Sequence, residues 1–485
     1  MLSAIVMIPL IGSWIIMMTS NIMISKLVSL ISSFIVLLIY GIIWVEHNSN
    51  NNYYQIIGND NSYYPLNMGI DSISLYMIGI TIILIPICIL STWSTVKENV
   101  KLYLILLLGL ETILILVFVL LDILLFYISF EASLIPMFLI IGIYGSRERK
   151  IYAAYQFFLI TLLGSLLMLM AIIILYSQIG VTDYQILSIS NISKEREYLL
   201  WLALFISFAV KTPLVPLHLW LPEAHSEANI AGSIILAGVL LKLAGYGFLR
   251  YSINILPEGS IYYLPLVYGL SIISIIYSSL TTLRQIDMKK IIAYSSIGHM
   301  GIVLLGIFSY SIEGIEGSMI LMIGHGLVSP GLFIIVTILY DRYHSRIIKY
   351  YRGVVSTSPL LGIVFLILTL ANMAVPLTSN FVGELLCFMG AFQTNPIATI
   401  IATIGIILGG AYSIWFYNRI TFGERSVYLR EIEEADMNRR EWSQILPLLI
   451  LILILGIYPN IVLETLHVAV SNIYYSIKLK GLIGY

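Results

Sequence analysis

Long apolar runs separated by short polar breaks occupy most of the chain. A helix that crosses the hydrocarbon core of a bilayer needs about 20 predominantly apolar residues. Runs of that order recur fourteen times, so the pattern predicts an all-α polytopic membrane protein with about 14 transmembrane helices. The predicted spans are residues 2–18, 24–45, 70–93, 101–119, 121–144, 151–176, 198–222, 228–249, 261–281, 289–308, 317–341, 356–388, 395–417 and 445–466.

Two features of the pattern fix the connections between spans. Residues 101–144 have no polar gap, and 44 residues would form a helix of about 66 Å, roughly two bilayer cores. We therefore expect the chain to fold back near Leu120. The polar residues 46–69 predict a loop after the second span, and residues 418–444 predict a surface helix before the last one.

Composition agrees with a membrane protein and excludes a soluble globular one. Hydrophobic residues make up 59% of the chain, charged residues 11%, and the mean hydropathy is +0.97. Soluble domains carry about 25% charged residues. The N-terminus lacks a basic region and a small-residue cleavage site, so we expect it to form the first span. Abundant Ile, Asn and Tyr, which have A/T-rich codons, favour an organelle genome.

The distribution of basic residues predicts the orientation. Loops after odd-numbered spans hold 18 of the 25 Lys and Arg residues, and the opposite face holds 5. Basic loops remain on the cytoplasm- or matrix-like side of a membrane, so both termini are expected on the outer face. The two remaining basic residues, Lys211 and Lys242, lie inside spans.

Ionisable residues near the middle of five different spans are candidates for function. They are Glu131, Lys211, Lys242, His325 and Glu384. A charge in the bilayer costs about 2.5 kcal/mol or more and usually faces the bundle interior or a water cavity. Each residue alone could make a structural contact between helices, but a row of titratable groups is what a proton relay requires.

Other polar residues have more ordinary interpretations. Glu111 is expected to make a contact between helices, and Asp122 lies at a span end. The loop "HLWLPEAHSEAN" with His218, Glu223, His225 and Glu227 is expected to be a polar lid, since its spacing matches no zinc pattern. Ser295, Ser296 and His299 in span ten are suited to hold water.

Prolines predict that two spans are broken. Pro213 and Pro216 follow Lys211 in span seven, and Pro376 precedes Glu384 in span twelve. A proline frees a backbone carbonyl, which at membrane depth is tolerated only beside protein or a water cavity. Broken spans next to charged residues are typical of proteins that bind or transport ions near the middle of the membrane.

Spans seven and twelve are five apart, which predicts two inverted five-helix repeats, spans 4–8 and 9–13. The expected divisions are an N-terminal three-helix part (1–100), a first repeat (101–250), a second repeat (251–417), and a surface helix with the final span (418–485).

Motifs for nucleotides, redox cofactors and metals are missing from the sequence. No glycine-rich dinucleotide fingerprint follows a strand, and no P-loop occurs. Cys88 and Cys387, the only cysteines, form neither a metal nor a disulfide framework. We expect the chain to bind no cofactor, so that a partner supplies the energy for transport.

Four stretches make the chain similar to the antiporter-like subunits of respiratory complex I. They are "FYISFEASLIP", "VKTPLVPLHLWLPEAHSEA", "MKKIIAYSSIGHMG" and "ANMAVPLTSNFVGELL", and the resemblance extends over essentially the whole chain. It departs from the sibling subunits at Glu384, where they are expected to have lysine. Span thirteen also lacks a charge that would match Lys242.

The resemblance implies a function and an assembly. Glu131 and Lys211 would form a switchable pair in one half-channel, and Lys242 and His325 would connect it to Glu384 along a hydrated axis. The chain would translocate protons in the mitochondrial inner membrane, with other subunits and lipids as partners. NAD, FMN, iron–sulfur clusters and ubiquinone would belong to the other subunits, where NADH oxidation and quinone reduction occur.

Two alternatives remain open from the sequence. One is a subunit of a multi-subunit sodium/proton antiporter, against which Glu384 and the organelle-like composition argue. The other is a structural membrane scaffold, in which alanine at Lys211 and Glu384 would leave proton pumping intact.

Overall fold

The structure is a computed structural model that describes residues 1–47, 55–56, 67–190, 192–424, 426 and 436–479. Most of the predicted polar loop 46–69 lies outside the described residues, and so does the middle of the predicted surface helix 418–444.

Helices account for nearly all of the described chain. The first half contains α1 Leu2–Met18, α2 Ile22–Glu46, α3 Ser72–Ser91, α4 Val100–Val119, α5 Ile123–Ala132, α6 Leu134–Tyr144, α7 Lys150–Ile179, α8 Tyr184–Ile189, α9 Lys194–Lys211, α10 Trp220–Glu227, α11 Ile230–Ile235, α12 Leu241–Gly247 and α13 Ile253–Ile255. Two five-residue π-helices, Leu236–Leu240 and Phe248–Ser252, lie on either side of α12. A short antiparallel pair, β1 Gln55–Ile56 and β2 Gly69–Ile70, precedes α3.

The second half continues in the same manner. Its helices are α14 Pro257–Tyr262, α15 Leu264–Thr282, α16 Met288–Ile307, α17 Ile312–Tyr343, α18 Pro359–Asn372, α19 Ser379–Thr394, α20 Pro396–Thr421, α21 Arg439–Ile457 and α22 Asn460–Leu479. Two 3₁₀ turns, Ile348–Tyr350 and Val354–Ser356, connect α17 to α18. Within the described residues, 11 helical segments are long and apolar enough to cross a membrane, so the fold is that of a polytopic helical protein.

The chain folds back between α4 and α5, where the length of the apolar run predicts a turn. Asp122 accepts hydrogen bonds from the backbone N–H groups of Leu124 and Leu125 at 2.8 and 3.0 Å. The Thr182 hydroxyl donates to the same carboxylate at 2.5 Å. A side-chain acceptor satisfies donors that the first turn of a helix leaves free. Asp122 is therefore an N-cap, in agreement with its predicted position at a span end.

Two helical segments form the centre of the bundle. The most apolar parts of Ile230–Ile255 and of α17 are entirely buried, whereas those of α2, α7, α20 and α21 are only 28–39% buried. α17 packs extensively on α16 and α19. The ionisable residues on the two central segments therefore face other helices and not lipid.

The predicted end of the last span, residue 466, is wrong. α21 ends at Ile457, Pro459 follows, and the separate helix α22 begins at Asn460. Proline removes the backbone donor that would continue a helix, which explains the stop. α22 buries an apolar stripe with helical spacing, formed by Val462, Leu466, Val470, Ile473 and Ile477.

Candidate functional site

Two helices end in the interior of the bundle, at the segments that contain the prolines. α9 ends at Lys211, and eight residues that include Pro213 and Pro216 separate it from α10. α18 ends at Asn372, and six residues that include Pro376 separate it from α19. Ala374 and Leu377 in the second segment have φ values of 56° and 77°. Each segment begins directly after a buried polar residue, Lys211 in the first and Asn372 in the second.

Lys211 is buried against α5. Its Nζ donates to the carbonyl of Phe130 at 2.9 Å and lies 3.2 Å from the centroid of the Phe130 ring. The ammonium is therefore held by a carbonyl dipole and by the ring face.

Glu131 follows Phe130 directly and lies within electrostatic range of Lys211. Its Oε1 is buried without a hydrogen-bond partner. Among the ion pairs of the described residues, none joins Glu131 to Lys211 within 4 Å. The structure thus places the two groups on adjacent elements but not in direct contact.

Lys242 and His325 are in direct contact. Lys242 Nζ lies 2.7 Å from His325 Nδ1, and both residues are at most 1% exposed. Lys242 Nζ also donates to the carbonyl of Ala237, which belongs to the π-helix before α12. A π-helix widens the turn and is frequent at functional sites. The arrangement joins the two central segments of the bundle through a pair of titratable side chains.

His299 of α16 lies between His325 and Glu384. The centroids of the two imidazole rings are 5.4 Å apart, and His299 Nδ1 is 2.9 Å from Glu384 Oε1. The other ring nitrogen, Nε2, is 3.2 Å from Oδ1 of Asn372 at the end of α18. The structure therefore brings together Lys242, His325, His299 and Glu384 in this order.

A small cavity adjoins Glu384 and His299. Its volume is about 20 Å³, room for about one water molecule. Polar side chains from five helices contribute to its wall: Ser279, Ser295, His299, Asn372, Glu384 and Tyr412. Ser295 and His299 are two of the residues that the sequence suggests for holding water.

The predicted polar lid is instead a buried half-helix. α10 contains His225 and Glu227, which are at most 2% exposed, and His225 stacks on Phe333 with ring centroids 4.7 Å apart. Glu223 forms an ion pair of 2.5 Å with Lys290. In the part of the chain that the structure describes, no group of three or more His, Cys, Asp or Glu residues could hold a metal ion.

The remaining candidates lie apart from this row. Glu111 of α4 is fully buried, and neither carboxyl oxygen has a hydrogen-bond partner. His218 is packed edge-on to Tyr277 and Tyr294, with ring centroids 5.6 and 6.2 Å away. Cys88 and Cys387 are buried free cysteines.

Comparisons with known proteins place this geometry in a class of membrane subunits. Residues 121–409 match the family model described as NADH:quinone oxidoreductase/Mrp antiporter, TM. The chain is similar over its full length to a chain of respiratory complex I from Thermus thermophilus with bound NADH, at 27% identity and a TM-score of 0.89. A chain of the Mrp complex from Dietzia sp. DQ12-45-1b has a TM-score of 0.86 at 18% identity over 100% of this chain and 99% of that one, which shows the shared fold alone.

Closer relatives narrow the class. NADH-ubiquinone oxidoreductase chain 4 of Chondrus crispus is 53% identical over 439 residues, 89% of this chain and 88% of that one. The protein of the same name from Mycosarcoma maydis is 51% identical over 90% of each chain, and that from Marchantia polymorpha is 49% identical over 97% of this chain and 96% of the relative. The chain belongs to the NADH-ubiquinone oxidoreductase chain 4 family.

The sequence alone does not predict the parts that His299 and Asn372 play in this site. His299 was recognised only as a possible water-holding group, and Asn372 is one polar residue in the apolar run "LILTLANMAVP". The useful signal is positional, because Asn372 is the last helical residue before the proline-containing break, as Lys211 is in the first half.

Proposed function

We propose that this chain is the antiporter-like, proton-translocating subunit of NADH:ubiquinone oxidoreductase in the mitochondrial inner membrane. Family membership supports the assembly, and other subunits of that complex are its partners. Proton movement through this chain is driven by electron transfer from NADH to ubiquinone, which takes place in other subunits.

One observation carries the proposed mechanism: four titratable side chains lie in sequence through the buried centre of the bundle. Lys242 contacts His325 at 2.7 Å, His325 packs beside His299, and His299 contacts Glu384 at 2.9 Å. Histidine and lysine side chains can each bind and release a proton, unlike arginine, which stays charged. In the proposed function, protons pass along this row between Lys242 and Glu384.

Glu131 and Lys211 form the switch in this proposal. When Glu131 moves to contact Lys211, the ion pair holds the lysine protonated, and when the contact is lost, Lys211 releases its proton inward toward Lys242. Opposite charges 4 Å apart interact by about 4 kcal/mol at an effective dielectric constant near 20. Moving one charge through the membrane potential costs about 2.3 kcal/mol per 100 mV. One contact is therefore comparable in free energy with the transfer of one proton.

The finer architecture is part of the same proposal. We infer fourteen spans, with both termini on the intermembrane-space side and the basic loops in the matrix. Residues 1–100 form three helices, 101–250 and 251–417 form the two inverted repeats, and 418–485 contain the surface helix and the last span. The repeat is supported by one backbone hydrogen bond of the same spacing at each break, from Leu214 N–H to the Ala209 carbonyl and from Val375 N–H to the Leu370 carbonyl.

Cofactors are assigned to the other subunits. The described residues offer no group of three metal ligands, and the sequence has no nucleotide motif. In this proposal NAD, FMN, iron–sulfur clusters and ubiquinone act in the other subunits of the complex, and this chain contributes proton-carrying side chains.

The test is Lys242→Arg in the assembled complex. Arginine keeps the positive charge but does not release a proton, so proton translocation driven by NADH should fall by about 10²-fold. Lys194→Arg is the matched control, because Lys194 pairs with Glu258 at the surface and is 71% exposed. Full proton translocation in Lys242→Arg would contradict the proposed function.

A further inference from the structure

Two backbone hydrogen bonds have the same spacing at both helix breaks. In the first, the N–H groups of Thr212 and Leu214 donate to the carbonyls of Phe208 and Ala209, both at 2.9 Å. In the second, the N–H groups of Met373 and Val375 donate to Thr369 and Leu370 at 3.0 and 3.1 Å. The donor–acceptor spacing of these two bonds is identical, so the end of α9 and the end of α18 align with Lys211 opposite Asn372.

This equivalence places Asn372 at the position of Lys211. Glu384, the charge that the sequence associates with the second break, lies twelve residues further along the chain. Lys211 contacts α5, and Asn372 contacts α16. α5 belongs to predicted span five and α16 to predicted span ten. The proposed inverted repeat makes these two spans equivalent. The second half thus has an amide where the first half has an ammonium group.

The amide of Asn372 lies beside a histidine, at the wall of the small cavity. Its Oδ1 is 3.2 Å from His299 Nε2, and Tyr412 of α20 lines the same cavity. An amide oxygen only accepts hydrogen bonds, so the ring nitrogen that faces it must bear a proton.

The consequence concerns the opposite nitrogen of the same ring. With a proton fixed on Nε2, a neutral His299 presents the lone pair of Nδ1 to Glu384 Oε1, 2.9 Å away. A carboxyl proton can then move from Glu384 to Nδ1, which leaves a carboxylate and an imidazolium and conserves charge. A proton on Nδ1 alone would block this transfer, because both groups would be donors.

We propose that Asn372 is a positioning residue that fixes the tautomer of His299 and thereby opens Nδ1 to the proton of Glu384. The inference rests on the proposed function and names a further residue of the same row. The other titratable groups that face His299 are His325 of α17, Glu384 of α19 and, across the small cavity, Tyr412 of α20.

The experiment compares variants of the assembled complex by proton translocation and its pH profile. Asn372→Leu removes the acceptor, and translocation should fall by about tenfold or more. Asn372→Asp retains an acceptor for the Nε2 proton, so it should restore most of the translocation. Its negative charge favours the imidazolium, so the pH profile should move to higher pH.

Asn254→Leu is the control, because it also removes a partly buried amide but at a position outside the row. The Asn254 side chain donates to the Tyr184 hydroxyl at 2.9 Å and to the carbonyls of Leu249 and Arg250, none of which belongs to the row, so its substitution should leave the pH profile unchanged. If Asn372→Leu pumps normally while His299→Phe does not, Asn372 has no positioning role and the proposed function stands. If His299→Phe and Lys242→Arg both pump normally, the proposed function itself fails. The inference would also be overturned if Asn372→Leu and Asn372→Asp both lost most of their translocation and the residual translocation of Asn372→Asp kept the wild-type pH profile.

Discussion

Lys242 and His325 are hydrogen-bonded at 2.7 Å, although 83 residues separate them in the sequence. Each belongs to a helical segment whose most apolar part is entirely buried in the bundle. Two groups that can each carry a charge are thus held in contact where water is scarce. A shared proton stabilises such a pair, because two like charges or two unpaired polar groups in this place would cost free energy.

His325→Gln tests this contact. Glutamine can accept a hydrogen bond from Lys242 but cannot carry a proton, so translocation should fall by about 10²-fold while assembly is preserved. Proton uptake per NADH oxidised, measured in sealed membrane vesicles, provides the comparison with the wild-type complex. Equal values would show that His325 makes a structural contact only.

Lys211→Arg and Glu131→Gln test the proposed switch. Arginine can keep the hydrogen bond to the Phe130 carbonyl and the contact with its ring, but it stays charged throughout. Glutamine removes the charge of Glu131 with little change of shape. Each variant should lose most proton translocation, and full pumping in both would contradict a switch at this pair.

The inferred orientation can be checked with introduced cysteines. The native Cys88 and Cys387 are buried, so a new surface thiol gives the only rapid labelling expected. Glu148, in the turn before α7, and Glu195, in the first turn of α9, are both exposed, and the distribution of basic residues places them on opposite faces. A membrane-impermeant reagent added from the intermembrane-space side should label Glu195→Cys and not Glu148→Cys. The reverse pattern would invert the topology.

The attachment of α22 predicts a loss of stability. The Tyr76 hydroxyl contacts the Thr465 hydroxyl at 2.5 Å and the Ile461 carbonyl at 3.0 Å. Tyr76→Phe removes both contacts and should destabilise the docked helix by about 1 kcal/mol. Protease accessibility of the C-terminal segment measures this, with Tyr152→Phe, whose side chain is exposed on α7, as the control. Equal cleavage rates would show that the apolar stripe alone holds α22.

Much of the architecture was predictable from the sequence because the bilayer imposes a length on apolar runs. The apolar runs predict a polytopic helical protein, as the structure has it, and the isolated charges single out Lys242, His325 and Glu384, which the structure places in the buried centre of the bundle. The end of α21 was missed, because "GIYPNIV" interrupts an apolar run with few polar residues.

The partners of the ionisable residues could not be predicted. His299 is 85 residues from Glu384 and 73 from Asn372, so only the packing of α16, α18 and α19 brings them together. The π-helix whose Ala237 carbonyl binds Lys242 was equally hidden, because the small and branched residues of "LAGVL" are compatible with ordinary α-helix. Contacts between distant helices depend on tertiary packing, which hydropathy does not contain.

A high-resolution map of the assembled complex, with ordered water resolved, tests the central claim most directly. The account predicts an unbroken path from Lys242 through His325 and His299 to Glu384, in which side chains and water molecules lie within about 3.2 Å of one another. Apolar side chains that separate any two of these groups, with no water between them, would contradict it.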